Sequence, residues 1–572
     1  MLSPFRAARA GHLSVLASLF LFTSTLSVIG SEGSPVHVGR AENGIIATVH
    51  PAGTDAAIEV FKKGGNAIDA AVAAGLTLGV VDGSNAGIGG GCFILVRRPN
   101  GEVFAIDGRE TAPAAAHPDM YLVDGKGDTS LSQTGPLASG VPGAVAAYAL
   151  AVERFGNLPL SDHLEPGARI AEEGFILRER NERAIARLAD TFRQFEGSRA
   201  VFFDENGEPF KAGDLFRQTD LAKTYRGIAE YGIDYFYRGP VSEKIAAWMA
   251  ENGGIMTEKD FADYRAPFRE PVKSFYRGNT IYGMPPSSSG GVHVAQILNI
   301  LEHFEISELE EADRVHVIAE AMKLAFADRA HWLGDADFVD VPKGLAAPEY
   351  GALLAERIEM EKAIEVPSHS YPPGWEDDLF SRHTTHFSAA DSEGNWVAIT
   401  ATVNTGFGSK VIVPGTGVVL NNEMDDFSIQ PGVPNAFGLI GGEANKVEGG
   451  KRPLSAMSPT IVLDPEGQPF FSVGAAGGPT IITQTVLAII GVVDLEMDVG
   501  AALAQPRFHT QWVPKTLRID RRFADEVIED LKSRGHEVRL VNGIGVSQAV
   551  ARDNEGFVGA HDPRVEGKVG GF

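Results

Sequence analysis

The chain is poor in cysteine, poor in positive charge and, after its first thirty residues, empty of long apolar runs. A single cysteine, Cys92, among 572 residues excludes an intrachain disulfide and any cysteine-rich metal site. Against 75 Asp and Glu stand 50 Lys and Arg, a formal net charge of −25 at pH 7. That balance repels phosphate backbones and anionic lipid surfaces, which argues against nucleic acid as a partner. No later segment reaches the ~20 apolar residues that a membrane span requires. The body of the chain therefore reads as soluble and held by packing alone.

What is present is a large apolar fraction, 44%, with 66 glycines. At this length the chain forms one large intertwined unit or two domains. Arg6 and Arg9 precede the apolar run Leu13 to Gly30, and SEGSP follows. Basic, apolar, then small and polar is the order of a cleaved export signal, with the cut near Gly30. At about 18 residues the run also approaches the length of a retained single-pass anchor. A cleaved signal implies a secreted or periplasmic protein without membrane contact afterwards.

Downstream, helix and strand patterns alternate. TDAAIEVFKKGG predicts a helix capped by Thr54 and stopped at Gly64-Gly65, and NAIDAAVAAGLTLGVV predicts a second, almost wholly apolar one. CFILVRRPNGEVFAIDG places two β-rich runs about Pro99-Asn100-Gly101, a hairpin signal. From Asn181 to about Leu333 the pattern is mainly helical. After Thr384 it turns strand-rich, in THFSAAD, WVAITATV, VIVPGTGVVL and TIVLDPEGQPFFSVGAA. Glu365 to His383, rich in Pro, Ser and acidic residues, reads as an exposed connector.

That connector runs into RHTTHFS, residues 382 to 388. Two threonines between two histidines bury poorly without partners. Asp391 to Asn395 is turn chemistry, so 384–390 and 396–403 are expected to pair as an antiparallel hairpin centred on Glu393. In that register Thr384 lies opposite Thr402 on one face, with Cβ atoms about 5 Å apart. A slip of one residue would separate them. Spacing alone is at least as consistent with an ordinary cross-strand threonine pair.

At these residues the sequence resembles the γ-glutamyltransferases (γ-glutamyltranspeptidases, glutathione hydrolases). The resemblance spans nearly all of the chain past the signal, in blocks that keep their order: HPAGTDAAIEVFKKGGNAIDAAVAAGLTLG, IDGRETAPAAAHPDMYL, GVPGAVAAY, PPSSSGGVHVAQILNIL, TTHFSAADSEGNWVAITATVNTGFGS, VVLNNEMDDFS, KRPLSAMSPTI, GAAGGPTIITQ, PRFHTQW and DPRVEG. It implies an α/β fold, the four-layer αββα sandwich of N-terminal-nucleophile hydrolases, formed jointly by large and small subunits after the precursor cuts itself. Cleavage between His383 and Thr384 would leave a helix-rich large subunit, 31–383, and a strand-rich small subunit, 384–572, as an intertwined heterodimer. These are 353 and 189 residues, about 38 and 20 kDa on a share of 60.9 kDa.

The chemistry explains why a threonine must become a chain end. A hydroxyl is a weak nucleophile at neutral pH unless a base accepts its proton. An N-terminal α-amine, with a reference pKa of about 7.7 to 8.0, is substantially neutral at mildly alkaline pH and serves as that base. Before cleavage the same Oγ attacks the carbonyl of His383, giving an ester that water opens.

By the resemblance, Thr384 is the nucleophile and Thr402 the hydroxyl that orients it. Arg109 corresponds to the arginine that pairs with the glutamate α-carboxylate, a task suited to a forked guanidinium. Asn404, Glu423 and Asp426 correspond to ligands of the α-ammonium, Ser455 to a serine on the carboxylate, and Gly477-Gly478 to the backbone pair that stabilises the oxyanion. Pro434 to Gly450 corresponds to a lid over the site. Without the resemblance, Arg109 reads as a solvated cation, NNEMDDF as a capped acidic loop and the glycine pair as a tight turn.

Three other motifs fail. GIGGGC carries Cys92 where a dinucleotide loop needs glycine and leads into a strand. GAAGG has Ala476 where a nucleophile elbow needs serine. His383 and His386, an odd number of residues apart, face opposite sides of a strand, which is poor metal geometry. No metal or organic cofactor is implied, and the expected partners are small molecules: glutathione or another γ-glutamyl compound, with an amino acid or peptide as acceptor. Three departures from the family pattern bear on specificity, one of them Cys92 where glycine is usual. Residues 81–86 read VDGSNA where a Pro-His pair is usual, and Ala456 replaces a second serine, at a cost of about 1.5 to 3 kcal/mol for a lost hydrogen bond to a charged group. The alternatives are a glutaryl-cephalosporin acylase of the same family and an exported binding protein without turnover.

Overall fold

Alternating apolar residues in the strand-rich segments build two antiparallel sheets of seven strands each. The computed structural model describes residues 38–372, 385–430 and 432–572, which form one compact unit. The first sheet runs, in spatial order, Lys568–Gly571, Gly44–Thr48, Thr385–Asp391, Trp396–Thr402, Gly91–Arg97, Val103–Gly108 and Phe268–Arg269. The second runs Val38–Ala41, Gly556–His561, Val546–Asp553, Pro469–Ala476, Thr460–Leu463, Asn279–Gly283 and Val272–Tyr276. Each sheet takes strands from both sides of position 383. Neither half of the chain completes a sheet alone.

The period of two decides what each face covers. Ile45, Phe93, Trp396 and Ala398 of the first sheet meet Ile461, Val550 and Phe557 of the second in one apolar cluster. On the first sheet's other face, Ile46, Ile94, Phe387 and Ile399 pack with the helices Pro51–Lys62, Ala67–Val81 and Ala144–Phe155. Val462, Phe471 and Val473 of the second sheet pack with Gly290–Leu301, Glu311–Trp332 and Thr480–Val493. Helix Ala67–Val81 is buried on every side, which is why its sequence is apolar all round. Its start is fixed by Asn66, which accepts the N–H of Ile68 at 2.9 Å while Asp69 returns to the N–H of Asn66 at 2.9 Å.

Three local expectations change. The first helix starts at Pro51, not after Thr54: His50 Nδ1 accepts the N–H of Ala52 at 3.2 Å, and proline at the first position gives up an N–H that has no helical partner. Thr54 is buried inside the helix, its hydroxyl donating to the Lys568 carbonyl at 2.9 Å. The mainly helical stretch contains an edge hairpin, Val272–Tyr276 with Asn279–Gly283, turned by Arg277 and Gly278 at φ 49° and 79°. VIVPGTGVVL forms only the isolated bridge Ile412 to Val419, because Gly415 and Gly417 adopt positive φ and break the extended run. Among the described residues no helix is long and apolar enough to cross a membrane. The N-terminal signal run lies outside them.

Candidate active site

The central hairpin pairs in the register its turn requires. Thr385 faces Ala401, His386 faces Thr400 and Ala390 faces Trp396, with Gly394 at φ 96° in the turn. His383 and Thr384 lie outside the described residues. Thr402 ends the second strand, wholly buried, and its Oγ1 accepts the N–H of Asn404 at 2.7 Å. His386 proves to be architectural. Its Nδ1 is bonded to Thr400 Oγ1 at 2.9 Å and its Nε2 to Ser388 Oγ at 2.8 Å, and Ser388 Oγ reaches Ser472 Oγ of the other sheet at 3.0 Å. Burial pushes this ring down to about 3, so it stays neutral. Gly474 makes room for it: a Cβ there would stand 2.4 Å from Nδ1.

The charged pocket gathers from four separate segments. Arg109 follows strand Val103–Gly108 and is wholly buried. Its Nε donates to the Pro453 carbonyl at 2.7 Å, one Nη donates to Asp426 Oδ2 at 2.7 Å, and the other is bonded to Glu423 Oε1. The residue expected to hold a carboxylate thus sits against two of those expected to hold an ammonium. Glu423 and Asp426 lie on the single turn Glu423–Asp426, which brings both carboxylates to one side. Desolvation raises Glu423 despite the opposing pull of Arg109. Asn404, held at φ 76°, donates from Nδ2 to the Asn422 carbonyl at 2.8 Å, beside Glu423. Glu423 Oε2 and Asn404 Oδ1 are buried with no hydrogen-bond partner among the described residues.

Ser455 is two residues beyond the carbonyl that receives Arg109. Its own carbonyl is gripped by Ser289, through N–H at 2.7 Å and Oγ at 2.8 Å. Ala456 is buried and belongs to the apolar cluster that includes helix Glu311–Trp332. Gly477 and Gly478 hold φ of 133° and 66° and lead directly into helix Thr480–Val493. Only glycine takes such a conformation without strain, and the adjoining helix N-terminus favours negative charge. Asn435 and Asn445 of the segment expected to be a lid donate to Asp426, to Oδ1 at 3.2 Å and to the carbonyl at 2.7 Å. Together with Leu439, Arg329 and Asp426 they line a small cavity.

Sequence reasoning missed several neighbours. Glu110 has neither carboxylate oxygen hydrogen-bonded among the described residues, and lies 3.9 Å from an Arg109 nitrogen. Desolvation pushes it up to about 8. Its place directly after Arg109 in DGRE was the available signal. Lys410 donates to Thr405 Oγ1 at 2.9 Å and is lowered to about 8 by burial. The divergent VDGSNA segment touches the hairpin end, where Val403 N–H donates to the Asn85 carbonyl at 3.2 Å. Among the described residues one trio, His316, Glu320 and His536, has a metal-ligand donor set. His316 lies 13 residues from Arg329 on one helix, about 20 Å along its axis.

Comparison with known proteins converges on one family. The gamma-glutamyltranspeptidase profile matches residues 53–572. The chain is 42% identical over 548 residues to a glutathione hydrolase proenzyme of Escherichia coli K12, covering 94% of this chain and 93% of that one. Its fold matches a crystal structure of cephalosporin acylase from Bacillus halodurans with a TM-score of 0.84 at 28% identity, over 97% of this chain and 99% of that one. A solved chain of Helicobacter pylori gamma-glutamyltranspeptidase matches with a TM-score of 0.53 at 38% identity, over 58% of this chain and 93% of that one. With a family profile that spans nine-tenths of its length and relatives this similar end to end, the chain belongs to the gamma-glutamyltranspeptidase family.

Proposed function

We propose that this protein is an exported, self-processing γ-glutamyltransferase and glutathione hydrolase. Its fold is the four-layer αββα sandwich of N-terminal-nucleophile hydrolases, shared by the two subunits. Thr384 attacks the γ-carbonyl, an ester forms, and water or an amino acid or peptide acceptor takes the γ-glutamyl group. The observation that carries this reading is the buried pairing of Arg109 with Glu423 and Asp426. A glutamate head is a zwitterion, with an anion for the guanidinium and a cation for the carboxylate side. Its carboxylate takes the guanidinium with Ser455, while its ammonium takes Glu423, Asp426 and Asn404 Oδ1, which has no hydrogen-bond partner among the described residues.

In sequence Thr384 directly precedes Thr385, the first residue of the described strand. Thr402 is the residue after Ala401, the partner of Thr385. The α-amine of Thr384 would take the proton of its own Oγ and return it to the leaving amine. Gly477 and Gly478 amides, at a helix N-terminus, would receive the oxyanion. The export signal makes the product secreted or periplasmic.

A denaturing gel with N-terminal sequencing of each band tests this. Bands of about 38 and 20 kDa are expected, the smaller one beginning at Thr384, and Thr384→Ala should remain one inactive chain. An active enzyme that stayed a single chain would rule the mechanism out. The likeness to a cephalosporin acylase favours a second reading, cleavage of a glutaryl side-chain amide. A parent enzyme that prefers glutaryl over γ-glutamyl anilide would select it.

A further inference from the structure

Away from that site, three side chains with metal-ligating chemistry converge where residues from before and after position 383 meet. His316 and Glu320 stand one turn apart on helix Glu311–Trp332, and His536 follows helix Asp525–Ser533 by a tight turn. His316 Nδ1 is 2.7 Å from His536 Nε2, which is 3.7 Å from Glu320 Oε1. All three donor atoms lie within 4.8 Å of one another. His316 and Glu320 are wholly buried.

The surroundings prepare each donor. His316 Nε2 faces the Glu359 carbonyl at 2.8 Å. A carbonyl only accepts, so the proton is on Nε2 and Nδ1 offers a bare lone pair to the cluster. Such an outer partner is what orients a metal-binding imidazole. Glu320 Oε2 accepts the Ile364 N–H at 3.1 Å, which leaves Oε1, buried and without an aligned hydrogen bond, on the side of the rings. The Lys323 ammonium is 2.9 Å from Oε1, off the hydrogen-bonding axis. Four-coordinate zinc spaces its N and O donors about 3.3 Å apart, so the nitrogen pair must open and His536 Nε2 and Glu320 Oε1 must close, each by about half an ångström, while the His316 to Glu320 separation, at most 4.8 Å, adjusts with them. His536 and Lys323 also line a cavity of about 230 Å³ with Trp512 and Glu537. It offers an entry path, space for a water as fourth ligand and room for Lys323 to withdraw.

We propose that His316, Glu320 and His536 bind one divalent transition-metal ion of the zinc class. Two imidazoles and one carboxylate select such an ion over magnesium or calcium, which prefer oxygen. On binding, the proton that His536 Nε2 donates to His316 moves to His536 Nδ1 through the adjoining cavity, and the freed lone pair takes the ion. Binding stands independently of the function proposed above. Its consequence rests on that reading: after cleavage the ion ties the large subunit to the small one, beside the ion pair of Arg534 with Asp313 at 2.7 Å.

The test uses purified, processed enzyme stripped with a chelator and titrated with Co²⁺, then Zn²⁺. One equivalent of Co²⁺ should give the intense visible bands of four-coordinate cobalt, Zn²⁺ should displace it, and the melting temperature should rise. His536→Gln, which keeps a donor for His316, and Glu320→Gln should each weaken binding at least about tenfold while γ-glutamyl anilide turnover persists. Absence of a stoichiometric band, or unchanged affinity in both variants, overturns the proposal. Binding by a parent chain that never cleaves would keep the site and overturn its role as a clip between subunits.

Discussion

Two buried polar clusters flank the central hairpin and are built on opposite terms. The His386, Thr400, Ser388 and Ser472 cluster is neutral, and both ring nitrogens of its histidine are bonded. The Arg109, Glu110, Glu423 and Asp426 cluster is charged and leaves Glu423 Oε2 and both Glu110 oxygens without hydrogen-bond partners among the described residues. A closed neutral network joins the two sheets at low electrostatic cost, whereas an open charged one keeps bonding capacity for something that arrives later. The difference is the one expected if the first cluster is architecture and the second the proposed binding site.

The largest test of that contrast is Arg109→Ala. It leaves Glu423 and Asp426 buried without their cation, so a loss of about 3 to 5 kcal/mol is expected in a urea titration. The KM for a γ-glutamyl anilide should rise strongly, and so should that for the glutaryl analogue, which keeps the same terminal carboxylate and lacks only the α-ammonium. An unchanged KM for the γ-glutamyl anilide would mean that the guanidinium does not receive the glutamate carboxylate.

Thr402→Ala comes next. Its hydroxyl accepts the Asn404 N–H, so the change loosens a ligand as well as the proposed partner of Thr384. A fall in kcat of roughly a hundredfold is expected on fully processed enzyme. An unchanged kcat would remove the catalytic meaning of the hairpin register.

The clusters should also respond to pH with opposite signs. Glu110 is raised to about 8 from an ordinary value near 4.5, so the folded state binds the extra proton between those limits, and stability falls as pH rises through them. His386 is lowered to about 3 from 6.5, so the unfolded state binds the extra proton, and stability is lost as pH falls from 6.5 towards 3. Glu110→Gln should flatten the first slope and His386→Gln the second, read from urea midpoints across pH. Slopes that ignore both variants would dissolve the contrast.

The smallest effect is expected at Ala456. Because the residue lies in an apolar cluster, Ala456→Ser should cost about 1 kcal/mol and lower KM for γ-glutamyl substrates by no more than about tenfold. A larger fall in KM would put its hydroxyl in the pocket and extend the charged cluster.

Much of the scaffold was legible because its signals are local. The turn Asp391 to Asn395 and the alternation on either side set the register that brings Thr385 opposite Ala401, and the Pro99-Asn100-Gly101 turn set its neighbour. The helix start at His50 and the edge hairpin at Arg277-Gly278 were missed, the first because histidine is an uncommon cap and the second because a short hairpin is outweighed by the helices around it. Glu110 escaped notice although it directly follows Arg109, because the lack of hydrogen bonds to its carboxylate among the described residues is set by its surroundings in the fold. His316 and His536 are 220 residues apart, beyond any spacing rule.

By itself, then, the sequence determined most of the strands, the all-apolar helix and the hairpin register, since propensity, turn chemistry and periodicity act over a few residues. Only tertiary structure decided that Arg109 lies against Glu423 and Asp426, that His386 is structural, and that a second histidine cluster bridges the halves of the chain. Those outcomes depend on desolvation and distance among groups brought together from remote segments, and both exist only once the two sheets have closed on each other.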